Sequence, residues 1–275
     1  MTIEVRKLGD PLLAEVVGVD VTKPLSEETR QQVYQALLDN IVVVFRDQEM
    51  TAAETVQFAG NFGRLEPHIT RKYNHPDFDV LFVMTNLNAK GEIDPADSRR
   101  GDKWHTDMCY RDVPARATML HTIQIPDVGG DTLFANMYMA LETMPDSLRQ
   151  RLEGRKATFR YGGRHAEGQA RLETEDRDAP LIAHPIIRPH TDTKRCSVFV
   201  NPAHTVGILG MDDAEAQDLL EETYEWCMRP EFQDRHVWRQ GDTVVWDNRS
   251  AWHKATGENP LRQPRRFYRT TIADN

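Results

Sequence analysis

The sequence has few cysteines and lacks any long apolar run. Its three cysteines, Cys109, Cys196 and Cys227, lie far apart among 275 residues. An odd number at this spacing predicts neither a disulfide framework nor a thiolate zinc site and is typical of a reducing compartment. No stretch approaches the roughly 20 apolar residues of a membrane span, and the N-terminus lacks the basic-then-apolar pattern of a signal peptide. We therefore expect a soluble, cytoplasmic protein with no membrane partner.

The sequence also has fewer basic than acidic residues. Lysine and arginine number 34 against 43 aspartates and glutamates, which gives a formal net charge of −9. Nucleic-acid binders normally carry a basic patch, so we expect no DNA or RNA partner. The chain has no internal repeat, no low-complexity tract and no recognisable linker. With 39% hydrophobic residues it is long enough for one large core, and we predict a single domain spanning residues 1–275.

Strand-like segments outnumber helical ones. A helix is predicted from Ser26 to Asn40, with Ser26 as its cap. A second begins at a Thr51–Glu54 capping box. Two short helices are expected within 136–152, and the clearest lies at 212–228. Strands are predicted at 41–46, 78–85, 117–124, 195–200, 242–247 and 266–272.

Many strands with a few helices outside them indicate a mainly β protein with a jelly-roll, cupin-like core of two sheets. The polar segments 86–103 and 162–180 are predicted loops and candidates for a lid.

Two histidines and one aspartate form a candidate metal site. His105 and Asp107 are two residues apart, so on an extended segment both side chains project to one face. His253 follows a predicted strand that could bring it to the same place. Two imidazoles and one carboxylate are the ligands of the facial triad of non-haem Fe(II) oxygenases, although Mn(II) and Zn(II) accept the same ligands. Taken alone, the pair at 105 and 107 is more typical of an exposed loop, and it is His253 that favours a metal site.

Two arginines follow His253 at a spacing that indicates an anion site. On a strand, Arg265 and Arg269 share a face, and the guanidinium fork suits bidentate binding of a carboxylate, sulfonate or phosphate. The alternative is a basic terminal strand on a solvated face.

Seven segments together resemble the Fe(II)/2-oxoglutarate-dependent dioxygenases of the TauD/TfdA family. They run in family order and span nearly the whole chain. The segments are VVVFRDQ (42–48), FGRLEPH (62–68), WHTD (104–107), GGDTLFANM (129–137), VNPAHT (200–205), GDTVVWDNRSAWH (241–253) and RRFYRTTI (265–272).

The resemblance implies a role for each motif. His105, Asp107 and His253 would be the iron ligands. Thr132 and Arg265 would hold the distal carboxylate of 2-oxoglutarate. The enzyme would then use Fe(II), 2-oxoglutarate and O2 to hydroxylate a small organic anion, such as a sulfonate or aryloxyalkanoate, with release of succinate and CO2. Family members are commonly dimers or tetramers, so a homo-oligomer is expected.

The same resemblance suggests where the substrate binds. His68 and Arg269 match positions that grip the anionic head of taurine within the family. Arg71 and Gly101 replace a tyrosine and an asparagine that contact taurine, so a different substrate is expected. Arg71 could add a second cation for a longer or more strongly anionic molecule.

Three other functions fit parts of the pattern. A non-catalytic cupin-like protein could bind a metal or ligand, but it would have no need of the co-substrate clamp at Arg265 and Thr132. A zinc hydrolase could use the same three ligands. The same iron chemistry could also end in desaturation or cyclisation. The sequence does not identify the substrate.

Overall fold

The computed structural model describes residues 3–88, 90–94, 101–165, 179–259 and 262–274. The strands are β1 Glu4–Lys7, β2 Ala14–Val17, β3 Val42–Phe45, β4 Leu65–Glu66, β5 Asn74–His75, β6 Phe78–Thr85, β7 Ala115–Gln124, β8 Thr132–Asn136, β9 Lys156–Phe159, β10 Ile182–Pro185, β11 Ile187–Pro189, β12 Cys196–Val198, β13 Thr205–Ile208, β14 Gln233–His236, β15 Thr243–Asp247, β16 Ala251–Ala255 and β17 Arg266–Ala273.

Helices are fewer than strands. The α-helices are α1 Glu27–Asn40, α2 Ala52–Ala59, α3 Met137–Glu142, α4 Asp146–Leu152 and α5 Asp213–Cys227, and short 3-10 helices occupy Gly60–Phe62, Arg71–Tyr73 and Pro230–Phe232. Within the described ranges, no helix combines the length and the apolar character that crossing a bilayer requires.

Two sheets form the core of the protein. The main sheet has the order β1-β2-β3-β15-β7-β17-β6-β5, with β4 paired to β17. Its pairs are antiparallel except for β2 with β3. The second sheet has the order β14-β8-β16. This arrangement confirms the predicted mainly β, jelly-roll fold class.

The main sheet separates two apolar clusters. Because side chains alternate along a strand, Val43 and Phe45 of β3 pack on the outer face, in a cluster that includes residues of α1 and α2. Val44 of the same strand faces inward, in a cluster that also contains Phe134 of the second sheet. Both faces of β3 are therefore covered, which explains its unbroken run of apolar residues.

The helix boundaries follow from their caps. Ser26 Oγ accepts a hydrogen bond from the Thr29 backbone N–H at 3.2 Å, and Thr51 with Glu54 forms a complete capping box. Both caps confirm the sequence predictions. The N-terminal strands β1 and β2 were not predicted. β1 is a charged, fully exposed edge strand, so it lacks the apolar alternation that marks a strand in a sequence.

The two predicted lid loops fall partly beyond the ranges given above. Residues 89 and 95–100 of the first loop and 166–178 of the second lie outside the described residues. The lid assignment stays a prediction.

Candidate metal centre

Backbone pairing brings the two candidate histidine ligands together. His105 forms an isolated antiparallel bridge with His253, which belongs to β16. The His105 N–H donates to the His253 carbonyl at 3.0 Å, and the His253 N–H donates to the His105 carbonyl at 2.9 Å. Residues opposite each other in such a pair project to the same face. Their imidazole centroids are 4.0 Å apart as a result.

Asp107 completes the cluster. Its Oδ1 lies 3.8 Å from His105 Nε2, and its Oδ2 lies 3.6 Å from His253 Nε2. One ligand atom from each of the three residues lies within 4.8 Å of the others. This spacing allows all three to reach a single ion, as the sequence predicted.

The protonation states suit a divalent metal. The His105 Nδ1 lies 2.8 Å from the Lys103 carbonyl oxygen. Because a carbonyl can only accept, Nδ1 carries a proton, and Nε2 is the nitrogen that lies near Asp107 Oδ1, at 3.8 Å. Burial, together with the neighbouring His105, lowers the pKa of His253 well below its ordinary value, which favours the neutral, metal-binding imidazole.

Asp107 is held in its ionised form. Burial alone would raise the pKa of this carboxyl group, but the charge of the adjacent Arg269 outweighs burial and, with the hydrogen bond from Thr118, holds the pKa well below its usual range. One carboxylate and two imidazoles make up the donor set of a 2-His-1-carboxylate centre. The residues therefore fit a ferrous ion chemically.

A second group surrounds Arg265. Its Nε donates to the Gly130 carbonyl at 3.1 Å, and its guanidinium lies 4.4 Å from the Phe267 ring centroid. Burial lowers the pKa of Arg265 to about 10, which still leaves the side chain cationic at neutral pH. No carboxylate of the described residues forms an ion pair with it. Among the described residues, the positive charge of Arg265 is thus not balanced by an ion pair.

Thr132 is connected to Arg265 through two aromatic residues, Trp238 and Phe267. It is buried at the start of β8. Its hydroxyl oxygen accepts a hydrogen bond from Trp238 Nε1 at 3.1 Å. The Trp238 ring packs edge-on against Phe267 at 4.8 Å, and Phe267 contacts Arg265. Trp238 is a link that the sequence analysis missed.

Arg269 lies beside the metal ligands. Its Nη2 lies 2.9 Å from Asp107 Oδ1. This ion pair was not predicted, because Arg269 was expected to bind substrate. In the sheet register, Arg269 of β17 is opposite Phe82 of β6. The His68 ring packs on Phe82 at 4.6 Å.

Arg71 lies three residues beyond His68. It is exposed, in the 3-10 helix that follows this segment. The structure thus groups His68 with Arg269 through Phe82, whereas Arg71 lies at the surface.

Buried aromatic residues surround the ligands. The centroid of the Trp246 ring lies 4.6 Å from that of His253, and Trp104 is buried. His204 packs edge-on against His105 at 5.8 Å and stacks on Tyr161 at 5.6 Å. Burial lowers the pKa of His204 to about 3. His204 lies outside the three-ligand cluster.

Two further polar residues have clear partners. His121 is buried and its Nδ1 hydrogen-bonds the Thr243 hydroxyl at 2.9 Å. Asn201 Oδ1 accepts from the His204 backbone N–H, and its Nδ2 donates to Cys109 Sγ.

Comparison with known proteins agrees with this geometry. Residues 4–271 match the family model described as "Taurine catabolism dioxygenase TauD, TfdA family". The chain is 30% identical over 265 residues to the alpha-ketoglutarate-dependent 2,4-dichlorophenoxyacetate dioxygenase of a Burkholderia species (strain RASC), covering 92% of this chain and 89% of that protein.

Solved structures of dioxygenases are also similar to this chain. The crystal structure of AAD-2 in complex with Mn(II) and N-oxalylglycine superposes with a TM-score of 0.86 at 28% identity, covering 100% of this chain and 98% of the other. A taurine dioxygenase from Burkholderia xenovorans gives a TM-score of 0.82 at 29% identity, with coverage of 99% and 90%.

The fold and the three-ligand cluster thus define a jelly-roll protein with a single candidate metal centre in the part of the chain that the structure describes. The chain belongs to the TauD, TfdA family of dioxygenases. It is an oxidoreductase of that class, as the sequence predicted.

Proposed function

We propose that the protein is an Fe(II)- and 2-oxoglutarate-dependent dioxygenase that hydroxylates a small organic anion and releases succinate and CO2. The observation that carries this proposal is the convergence of His105, Asp107 and His253, with ligand atoms within 4.8 Å of one another. The relatives support it, since one depends on alpha-ketoglutarate and another binds Mn(II) with N-oxalylglycine, a dicarboxylate of similar length.

The protein would hold the ion through His105 Nε2, His253 Nε2 and the Asp107 carboxylate. Bound Fe(II) supplies the activation of O2 and the oxidative decarboxylation of the keto acid. The chain itself contributes orientation and the exclusion of water. The His105 ring is held by its Nδ1 hydrogen bond to Lys103, and the His253 ring by its contacts with Trp246 and Phe134.

Arg265 and Thr132 would bind the distal carboxylate of 2-oxoglutarate. Among the described residues, Gly130 is the hydrogen-bond partner of the Arg265 side chain and occupies its Nε, so both terminal nitrogens would be available for a forked hydrogen bond to a carboxylate. Thr132 Oγ1 already accepts from Trp238, which leaves its hydroxyl proton free to donate. The surroundings of Arg265 have a lower dielectric constant than water, which would strengthen the attraction between its guanidinium and a bound carboxylate.

Arg269, His68 and Arg71 would recognise the prime substrate. Arg269 uses one terminal nitrogen on Asp107, and its remaining N–H groups could bind an anionic head group close to the metal. The relatives act on an aryloxyalkanoate and a sulfonate by name, which supports a small anionic substrate. Because Arg71 is exposed, it would contribute only to a substrate long enough to extend outward.

A substrate screen tests the proposal. Purified protein with Fe(II), ascorbate and 2-oxoglutarate is offered a panel of sulfonates, sulfate esters, aryloxyalkanoates and amino-acid-like acids, and succinate and product mass are measured. We expect one class to stimulate succinate release and to yield a product one oxygen heavier, or its breakdown fragments. A product lighter by two hydrogens would instead indicate desaturation or cyclisation. Hydrolysis without O2 would indicate the zinc hydrolase.

Two variants, Arg71→Ala and His253→Ala, are measured in the same screen to test the roles of these residues. His253→Ala should abolish coupled turnover. Unchanged affinity for the identified substrate in Arg71→Ala would remove Arg71 from the binding site. If no acid stimulates succinate release although Fe(II) binds, the non-catalytic cupin-like function is favoured.

Three sequence predictions stay predictions. We propose one domain over residues 1–275, a cytoplasmic location and a dimeric or tetrameric assembly. Limited proteolysis, cell fractionation and light scattering test these in turn.

A further inference from the structure

One oxygen of the Asp107 carboxylate is held by a threonine from the main sheet. Thr118 lies on β7 and is fully buried. Its hydroxyl donates to Asp107 Oδ2 at 2.7 Å. Arg269 contacts the other oxygen, Oδ1, at 2.9 Å, so the two partners together restrict rotation of the carboxylate and set the direction of its remaining lone pairs before any ion binds.

A hydrogen bond from Asn248 sets the orientation of the Thr118 hydroxyl. Its Nδ2 donates to Thr118 Oγ1 at 2.9 Å, so the threonine oxygen is already an acceptor and its own proton is left for Asp107. Asn248 Oδ1 accepts from Trp246 Nε1 at 3.0 Å and from the Asp107 backbone N–H at 3.4 Å. The amide orientation follows from these donors, because Trp246 can only donate.

A buried ion cluster holds the turn that carries Asn248. Asp247 Oδ1 accepts a hydrogen bond from Arg249 Nε at 2.9 Å, and Asp247 Oδ2 accepts one from Arg249 Nη2 at 2.6 Å. His190 Nε2 also lies 2.9 Å from Asp247 Oδ2. The backbone of the turn is tied as well, since the Asn248 N–H donates to the Arg116 carbonyl at 2.9 Å. All three side chains of the cluster are buried.

We propose that Thr118 and Asn248 are positioning residues that orient Asp107 toward the metal ion, and that the Asp247–Arg249–His190 cluster anchors them. The inference rests on the proposed function, because it takes Asp107 as a metal ligand. Partners of this kind orient the groups that bind a metal directly, and their loss typically weakens metal binding about 10–100-fold.

Anaerobic titration of the metal-free protein with Fe(II) alone tests the proposal without turnover. Thr118→Val keeps the shape and removes the donor, so the Fe(II) Kd should rise about 10–100-fold. Thr118→Ser restores the hydroxyl and should return the Kd to near the wild-type value. Asn248→Ala breaks the same chain without altering Thr118 and should also weaken binding. The Thr118→Val/Asn248→Ala double variant should lose little more than either single variant, because the two residues act as a unit.

Thr122→Val is the matched control. Thr122 lies on the same strand and is equally buried, but its hydroxyl accepts from the Gly241 N–H at 2.8 Å. Its Fe(II) Kd should be unchanged. The inference is overturned if Thr118→Val and Asn248→Ala both bind Fe(II) like the wild type, or if Thr122→Val weakens binding equally. Failure of the wild-type protein to bind Fe(II) would instead refute the proposed function, and the inference with it.

Discussion

Gly130 lies directly against Arg265. Its carbonyl accepts from Arg265 Nε at 3.1 Å, and a Cβ at this position would fall 3.2 Å from the same nitrogen. Gly130 also has a φ of 74°, in the left-handed region that favours glycine. The absence of a side chain at 130 thus allows the backbone to hold the cation that we expect to bind 2-oxoglutarate.

We expect Gly130→Ala to damage co-substrate binding as well as stability. The left-handed backbone costs alanine about 1–2 kcal/mol, and displacement of Arg265 should raise the KM for 2-oxoglutarate about tenfold or more. Gly154→Ala provides the control, because Gly154 has a φ of 71° and an added Cβ there would meet no atom within 4 Å. It should lose similar stability with an unchanged KM. Equal KM values for the two variants would contradict the assignment of Arg265.

Arg265→Lys should also raise the KM for 2-oxoglutarate. Lysine keeps the charge but loses the fork, and one charge-assisted hydrogen bond contributes about 1.5–3 kcal/mol, so a rise of roughly 10–100-fold is expected. Initial-rate kinetics with varied 2-oxoglutarate provide the measurement. Arg266→Lys is the control at the adjacent, exposed position and should behave as wild type. A wild-type KM in Arg265→Lys would exclude a bidentate contact.

Arg249→Met should unfold readily. Removing one partner of a buried ion pair leaves an uncompensated charge and typically costs about 3–5 kcal/mol, here on Asp247. Arg151→Met removes the partner of Glu222 on the surface, where both side chains are 49% exposed, and should cost no more than about 1 kcal/mol. Urea unfolding at neutral pH compares the two. Similar losses in both variants would show that the cluster does not stabilise the fold.

The contribution of Asp247 to stability should depend on pH. Burial would raise the pKa of Asp247, but the charge and hydrogen bonds of Arg249 outweigh burial and lower it. A carboxyl group whose pKa is lower in the folded state stabilises that state above its unfolded pKa of about 3.9, and the contribution is lost as pH falls below that value. The difference in unfolding free energy between wild type and Asp247→Asn should therefore be largest near pH 7 and shrink below about pH 4. If this difference in unfolding free energy increased on acidification, the stabilising role of ionised Asp247 would be refuted.

Local chemistry made much of the fold predictable. The Ser26 and Thr51 caps lie within four residues of the atoms that they bind, so they can be read along the chain. His105 and His253 were recognisable by residue type and by their place in family motifs. The exposed edge strand β1 has no such apolar pattern and was missed.

Contacts between separate elements could not be predicted. The hydrogen bonds from Thr118 to Asp107 and from Asn248 to Thr118, and the ion pair of Arg269 with Asp107, join the turns that carry Asp107 and Asn248 to strands β7 and β17. They therefore depend on strand register and on where each turn meets the sheet. Register is set by pairing across the sheets, which leaves no local trace in the residues involved. Trp238 was missed for the same reason, since only the assembled barrel brings it to Thr132.

The most direct test of the whole account is an anaerobic optical titration. Fe(II) and 2-oxoglutarate are added to the wild-type protein and to Asp107→Ala and His253→Ala, and the visible spectrum is recorded. We predict a weak metal-to-ligand charge-transfer band in the wild type only, because the three side chains together hold the ion to which the keto acid binds. No band in the wild type, or an unchanged band in both variants, would contradict the assignment of His105, Asp107 and His253 as the metal centre.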